Sequence, residues 1–396
     1  MPIYNLNMLL FSLILPIILA ASEIDIIIPS FPEIQGIFGL SAFKVELLLT
    51  LNLISHCIAA LFAGILGDKY GKKHIITLGL IIFVIGSFVS VAVDNFYIIL
   101  LGRVLQGIGI APSLVLTFAI AIDKFPNSGP KTMGILNGFY AFALAVAPAV
   151  GSLITNQFGY KGNLFILAIL GIISLIVVQI FVPDDKKSKN DLSINILRAF
   201  IPVFKNRDAM IYSFALCLSA GCYFTIVGLA PLFYIETLKV SLIEFGLYQS
   251  VPGFSFAVLY LISGFVLKVL GKLTYRISIF FIVMFILSNL ALILGKFVHP
   301  ITVSLTMLFY ALGMIFFWNL MFGLALSSDS VNSGKISAIF NTLRWILASI
   351  GIGFASHFYS GTYLSIGLTA LVLFTSALTL MIVAYKKDSK LREAVN

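Results

Sequence analysis

Apolar residues along this chain come in long runs, separated by charged or Pro- and Gly-rich breaks. The runs lie near 7–28, 43–66, 75–93, 96–122, 132–155, 164–182, 209–233, 243–267, 275–295, 301–326, 336–358 and 362–385. A helix needs about 20 mostly apolar residues to cross roughly 30 Å of hydrocarbon, and each run is of that order. The pattern predicts an all-α integral membrane protein with twelve transmembrane helices. The first run is expected to remain as a span and not to be a cleaved signal peptide: no Lys or Arg precedes it, no small-x-small site follows, and Glu23 and Asp25 interrupt it. One long polar loop separates the sixth run from the seventh. It carries Asp184, Asp185, Lys186, Lys187, Lys189 and Asp191, and residues 192–204 after them read as a short amphipathic helix on the membrane surface. The predicted organisation is therefore an N-terminal six-helix bundle over 1–183, a cytoplasmic linker over 184–208 and a C-terminal six-helix bundle over 209–396. Division into two such halves is typical of secondary transporters.

Composition removes the soluble alternative. The 396 residues are 60% hydrophobic and 10% charged, with a mean hydropathy of +1.09, whereas soluble domains carry roughly 25% charged residues. The net charge of +9 on a soluble protein would suggest nucleic acid, but its placement points elsewhere. With both termini in the cytoplasm, Lys44, Lys161, Lys239 and Lys296 fall on the opposite face and Arg103 and Arg344 fall inside spans. The other nineteen of the 25 Lys and Arg lie on the cytoplasmic face. That is a positive-inside asymmetry. Anionic headgroups account for the charge, and no nucleic-acid partner is expected. The expected location is a bacterial-type inner (plasma) membrane, crossed many times, with both termini cytoplasmic. Cys57, Cys217 and Cys222 sit in apolar runs without metal or disulfide spacing. The chain has no phosphate-binding Gly-Lys-Ser/Thr loop, no metalloprotease His pair and no nucleophile elbow. No ATP drive, metal, cofactor or enzymatic activity is expected.

The breaks contain a repeat. Gly64, Gly67, Asp68, Lys69, Gly71, Lys72 and Lys73 follow the second run. Gly264, Gly271 and Lys272 recur at the same offsets after the eighth, with Lys268 in place of the acid. The first copy resembles, at every defined position, the G-x-x-x-D-[RK]-x-G-[RK]-[RK] cytoplasmic loop of the major facilitator superfamily. Glycines there permit sharp turns and close helix approach, and an acid at a helix end pairs with cations or caps another helix. The resemblance implies a conformational latch made of Gly64, Gly67, Asp68, Gly71, Lys72 and Lys73, with Asp68 capping span eleven near Ser333 and Gly334.

Three further stretches are similar to the bicyclomycin-resistance and chloramphenicol-resistance type of drug:proton antiporter. Asp25, Pro29, Pro32 and Ile34 fit D-x-x-x-P-x-x-P-x-I. Arg103, Gln106, Gly107, Gly109 and Ala111 fit R-x-x-Q-G-x-G-x-A. Pro148 and Gly151 keep a helix-packing motif, G-P-x-x-G-G, in which Ala147 and Ser152 replace glycines. The architecture matches over the whole chain, while the specific motifs lie in the first half. The resemblance implies a monomeric, proton-coupled secondary transporter that exports drugs or small amphiphilic molecules by alternating access. The alternative is a carrier of a specific anionic metabolite or siderophore, whose carboxylates Arg103 and Arg344 would clamp.

Charges inside spans carry the remaining chemistry, because each costs about 2.5–3.5 kcal/mol at the bilayer centre. Four stand out: Glu23, Asp25, Arg103 and Arg344. An acid beside Arg103 that gains and loses a proton would couple proton flow to substrate binding, whereas Arg103 itself never deprotonates. Glu23 and Asp25 are about 200° apart on a helical wheel, so only one faces the site squarely. Asp25 is preferred, because the motif carries it; it could also snorkel to the headgroups. Arg344 has three readings: snorkelling, packing on Trp345, or contact with an anionic cargo. His56 is a proton relay or a packing histidine. Asn52, Gln106, Asn137, Trp318 and Asn319 are candidate lining for a substrate cavity, with Phe139, Tyr140, Tyr223 and Phe224 as candidate walls.

Overall fold

The computed structural model describes residues 6–125, 129–184, 196–329 and 333–395, and among them every regular element is helical. The long helices are α1 (Leu6–Asp25), α3 (Ala42–Tyr70), α4 (Lys72–Ala92), α5 (Phe96–Lys124), α6 (Gly129–Phe181), α8 (Arg207–Pro231), α9 (Leu242–Leu270), α10 (Leu273–Ile293), α11 (Pro300–Ser327), α12 (Ser333–His357) and α13 (Leu364–Lys387). Short helices are α2 (Phe31–Phe38), α7 (Ile196–Lys205) and α14 (Ser389–Val395). Among the described residues eleven helices are long and apolar enough to cross a membrane. One of them, α6, runs for 53 residues through a non-helical Gly159 (φ 65°, ψ −174°) and is two helices in succession. Counted at that break, the described chain has twelve spans. The interval between the fifth and sixth runs, 132–155 and 164–182, contains this Gly159, and the two helices join there because glycine accepts a positive φ.

Span one ends in a break. α1 stops at Asp25, a 3-10 turn follows at Ile28–Ser30, and α2 resumes at Phe31. Pro29 and Pro32 are the second residues of the turn and of α2, within the first turn, where no intrahelical partner for a backbone N–H is available. α7 falls within the stretch expected to be a surface helix. The charged linker residues Asp185, Lys186, Lys187, Lys189 and Asp191 lie outside the described residues.

The chain forms two compact units, residues 1–192 with 242–250 and residues 193–241 with 251–396. In the first, α5 packs along both α3 and α4, and α1 along α6. In the second, α8 is central to α11, α12 and α13. A cluster of aromatic rings fills the second core, with Phe285 4.8 Å from Phe374 and Tyr310 5.9 Å from Phe374. Asn289 is tied in by accepting from Tyr363 Oη at 3.0 Å and donating to the Gly367 carbonyl at 3.1 Å.

Candidate functional site

The site is built in the first unit where α1, α3, α4 and α5 meet. Arg103 on α5 donates from Nη1 to Glu23 Oε1 on α1 at 2.9 Å, and both side chains are fully buried. Asn52 on α3 donates to the same Glu23 oxygen at 2.6 Å and to the Arg103 carbonyl at 3.0 Å. One turn beyond Arg103, Gln106 accepts from Nη1 at 2.6 Å and donates to Ser87 Oγ on α4 at 2.7 Å. Arg103 Nε reaches the Leu48 carbonyl of α3 at 3.4 Å. The ion pair is thus the centre of a hydrogen-bonded chain joining four helices.

The glycines beside Arg103 and Gln106 make that convergence possible. A β-carbon on Gly107 would collide with the Asn52 carbonyl and Ser55 Oγ, and one on Gly109 would lie 2.6 Å from the Gly79 carbonyl of α4. Each glycine therefore lets α5 touch a different neighbour at backbone distance. The R-x-x-Q-G-x-G-x-A stretch reads as two polar residues on one face and two close approaches flanking it.

Chemically, the pair is neutral as a unit but incompletely satisfied. Glu23 Oε2, Arg103 Nη2 and Asn52 Oδ1 have no hydrogen-bond partner among the described residues. Burying two ions costs several kcal/mol each, and only good geometry with further hydrogen bonds offsets it, so such a pair is a weak device for stability. What it can do is exchange partners. A proton on Glu23 removes the charge that holds Arg103, leaving the guanidinium on Gln106 and the Leu48 carbonyl.

Glu23, and not Asp25, is the acid that pairs with Arg103. The preference for Asp25 as the partner is corrected here: the two acids point about 200° apart on one helix, and α1 turns Glu23 toward α5. Asp25 is the last residue of α1, 6% exposed, with Oδ2 lacking a hydrogen-bond partner among the described residues. Its position follows from what supports the break. A β-carbon on Gly151 of α6 would lie 3.0 Å from Ile26 Cα and 2.9 Å from its carbonyl carbon, so α6 presses directly on the backbone beyond Asp25. Pro148, inside α6, precedes this contact by one turn. Ser30, Thr155 and Asn163 close the other side, with Asn163 Nδ2 donating to Ser30 Oγ at 2.8 Å and to Thr155 Oγ1 at 2.7 Å.

The remaining candidates lie elsewhere. His56 is buried one turn beyond Asn52 on α3, and Asn137 is half-buried on α6. In the second unit, Asn319 donates to Ser263 Oγ at 3.1 Å, and Trp318 stands 5.6 Å from Phe340. The Arg344 guanidinium lies over Trp345 at 4.5 Å, half-buried, with Nε lacking a hydrogen-bond partner among the described residues. Trp345 continues a row of rings through Phe224 at 4.9 Å, Tyr223 at 5.4 Å and Tyr310 at 5.6 Å.

In the glycine-rich loop, Gly71 has φ 99° and separates α3 from α4. Gly67 packs against Leu116 of α5, while Gly64 faces open space. Lys72 pairs with Asp123 at the end of α5, and Lys73 with Asp184 at 3.3 Å and the Gln179 carbonyl at 3.1 Å. Asp68 is exposed. The expected cap at Ser333 and Gly334 falls on residues whose side chains lie outside the described residues.

Sequence reasoning missed Ser87 and the Leu48 carbonyl, which carry no charge to attract notice. It also missed Glu46, a fully buried carboxylate on α3. Glu46 is an acid inside the second run, and its burial shows only in the packing.

The family described as Major Facilitator Superfamily matches residues 13–352. A bicyclomycin resistance protein homolog of Haemophilus influenzae is 28% identical over 262 residues, covering 65% of this chain and 66% of that one. The multidrug resistance protein MdtL of Shigella dysenteriae is 25% identical over 223 residues, covering 56% and 57%. The chain thus spans less than two thirds of the length of either relative. An uncharacterized MFS-type transporter of Bacillus subtilis, YdgK, is 25% identical over 347 residues, 84% of each chain. Among solved structures, a D-xylose-proton symporter superposes with a TM-score of 0.74 at 14% identity, covering 95% of this chain and 97% of that one. The nucleoside transporter NupG gives 0.73 at 17% identity, covering 96% and 98%. At these identities the structural likeness is one of fold.

Proposed function

The chain belongs to the major facilitator superfamily, and from that premise we propose that it is a proton-coupled secondary transporter exporting drugs or small amphiphilic molecules by alternating access. The observation that carries this reading is the buried Glu23–Arg103 pair, 2.9 Å long, with unsatisfied valences on both partners. Proton entry at Glu23 neutralises the acid and frees Arg103, and the four helices joined at the site lose their common tie. Proton loss restores it. A cycle between these two arrangements, with substrate bound tightly in one and weakly in the other, moves cargo against its gradient at the expense of the proton gradient. Asp25, on the opposite face of α1, is the second acid of the site, set to receive a proton where the helix breaks. The names of the bicyclomycin-type and multidrug relatives support a drug-like cargo for this chain.

The loop of Gly64, Gly67, Asp68, Gly71, Lys72 and Lys73 acts in this reading as the conformational latch, with Lys72 and Lys73 already bound to the ends of α5 and α6 and Asp68 left to engage elsewhere. His56, Asn137, Trp318 and Asn319 belong to the substrate path with Asn52 and Gln106. The protein acts as a monomer in a bacterial-type inner membrane with both termini cytoplasmic, and its halves divide at the linker 184–208. A second reading, a carrier of an anionic metabolite or siderophore, is favoured by one observation: Arg344 keeps Nε unpartnered among the described residues.

Uptake of labelled lipophilic cations and of polycarboxylates into inverted vesicles, with and without an acidic lumen, tests both. Gradient-dependent accumulation of the cation supports export by proton exchange. Accumulation of the polycarboxylate alone overturns it in favour of the second reading.

A further inference from the structure

The proton cycle proposed above leaves one deep cation of the second unit unused. Arg344 stands beside the middle of the 25-residue α12, about 17 Å from its first residue. Snorkelling serves charged residues near the ends of a span, and this one is far from either end. At the same depth Ile346 and Ile350 mark the exposed, lipid-facing side of α12. They lie about 200° and 240° round the helix from Arg344, which is therefore turned away from lipid. Every other Lys or Arg of this unit among the described residues stands near a helix end or in a loop.

The surroundings of Arg344 are aromatic and belong to the same unit. Its guanidinium lies over Trp345 at 4.5 Å, Trp345 meets Phe224 of α8 at 4.9 Å, and Phe224 meets Tyr223 at 5.4 Å. Phe340, one turn before Arg344 on the same face, meets Trp318 of α11 edge-on at 5.6 Å. Trp318 stands nine residues before the end of α11 and Arg344 eleven after the start of α12. Measured from the turn joining the two helices, they are level, at about 14 and 17 Å. Tyr223, Phe224, Trp318 and Arg344 are half-buried, so part of each remains uncovered.

A guanidinium stacked on a ring by its face keeps its edge for hydrogen bonds, and that edge takes a carboxylate through two parallel N–H···O bonds. Arg344 Nε, on the edge, has no hydrogen-bond partner among the described residues, and no ion pair to Arg344 forms among them. The rings favour a flat apolar body, and the charge disfavours a cation. One cation matches one carboxylate. A polycarboxylate would set its further charges against rings that offer no counter-ion.

We propose that this patch is an acid-selective cargo subsite: a planar aromatic monocarboxylate binds with its carboxylate on the Arg344 edge and its ring among Trp345, Phe224 and Trp318. This deepens the transport reading above, on which it rests, by naming an amphiphilic acid as a cargo class.

The two tryptophans of the chain, Trp318 and Trp345, both stand in the patch, so intrinsic fluorescence reports on it. Nitroaromatic compounds quench indole on contact, and three of similar shape are titrated into the purified full-length protein: 4-nitrobenzoate, 4-nitrobenzamide and 4-nitrophenyltrimethylammonium. Saturable quenching by the acid is expected, with an affinity roughly ten- to a hundredfold above that of the amide, the cation weakest, and no displacement by citrate. In Arg344→Gln the acid should fall to the level of the amide, while the amide binds as in the wild type and so shows the rings intact. Arg344→Lys keeps the charge without the fork and should fall between the two, which covers an Arg344→Gln variant that fails to fold. Equal affinity for acid and amide in the wild type, an acid preference undiminished in either variant, or displacement by citrate overturns the proposal. A wild-type protein that shows this selectivity yet moves no 4-nitrobenzoate under a pH gradient in proteoliposomes instead overturns the transport reading, so the two failures are distinguishable.

Discussion

The Glu23–Arg103 pair makes a quantitative prediction about stability that is independent of any substrate. In Glu23→Gln the amide keeps an acceptor for Arg103 and Asn52 but removes the negative charge, leaving a fully buried guanidinium on neutral partners. In Arg103→Gln the carboxylate is left with Asn52 as its remaining donor among the described residues. Removing one member of a buried pair costs about 3–5 kcal/mol. Removing both leaves two neutral side chains and no stranded charge, so the double variant should be more stable than the sum of the singles by about 0.5–3 kcal/mol. The reporter is already in the chain. Cys57 lies on α3 beside the site and is buried, so its modification by a maleimide in detergent, read by mass spectrometry during heating, reports the opening of this unit. The expected order of midpoints is wild type highest, each single variant below it, and the double variant above what the summed losses of the singles would give. Strictly additive losses, or an Arg103→Gln midpoint equal to the wild type, would refute the reasoning.

Gly151→Val places a branched side chain against the Ile26 backbone, which cannot yield as a flexible side chain would. Overpacking of this kind costs about 1–3 kcal/mol, so the same Cys57 midpoint should fall; an unchanged midpoint would mean that the contact is loose. Asp94, in the turn between α4 and α5, accepts hydrogen bonds from Lys161 at 2.6 Å and Tyr160 at 2.9 Å, which hold its carboxyl below the usual range. A lowered acid stabilises the fold only while ionised, so the midpoint gap between wild type and Asp94→Asn should be full at neutral pH. The gap should close as pH falls below about 4, and one that does not change with pH would contradict this. Arg344→Gln should leave binding of a lipophilic cation unchanged or tighter, since it removes a repulsive charge next to Trp345. If the cargo is anionic, the lost contact of about 1.5–3 kcal/mol weakens polycarboxylate binding roughly ten- to a hundredfold, and equilibrium binding decides between them.

Much of the architecture was legible because the bilayer sets a length that each span must meet. The run at 96–122 became α5, Phe96–Lys124, and the run at 301–326 became α11, Pro300–Ser327. Within α5 the spacing of Arg103, Gln106, Gly107 and Gly109 showed which residues share a face, because one helix is a local object. The choice between Glu23 and Asp25 was not local. Helical periodicity says that one of them faces α5, but which one depends on how α1 is rotated where it packs on α5 and α6, helices far away in the chain. The partners of Lys72 and Lys73 were hidden for the same reason, since Asp123 and Asp184 are distant in the chain. Glu46 was hidden by the opposite circumstance: a charge near the end of an apolar run looks solvated until the packing around it is known.

The central claim is that protonation of Glu23 couples proton movement to transport, and the most direct test compares wild type with Glu23→Gln in the same proteoliposomes. The labelled lipophilic cation is loaded in both, and its flux is measured with and without a pH gradient. The account predicts that the gradient accelerates the wild type and has no effect on Glu23→Gln, which still exchanges substrate down its own gradient. A Glu23→Gln protein whose flux responds to the gradient as the wild type does would contradict the account.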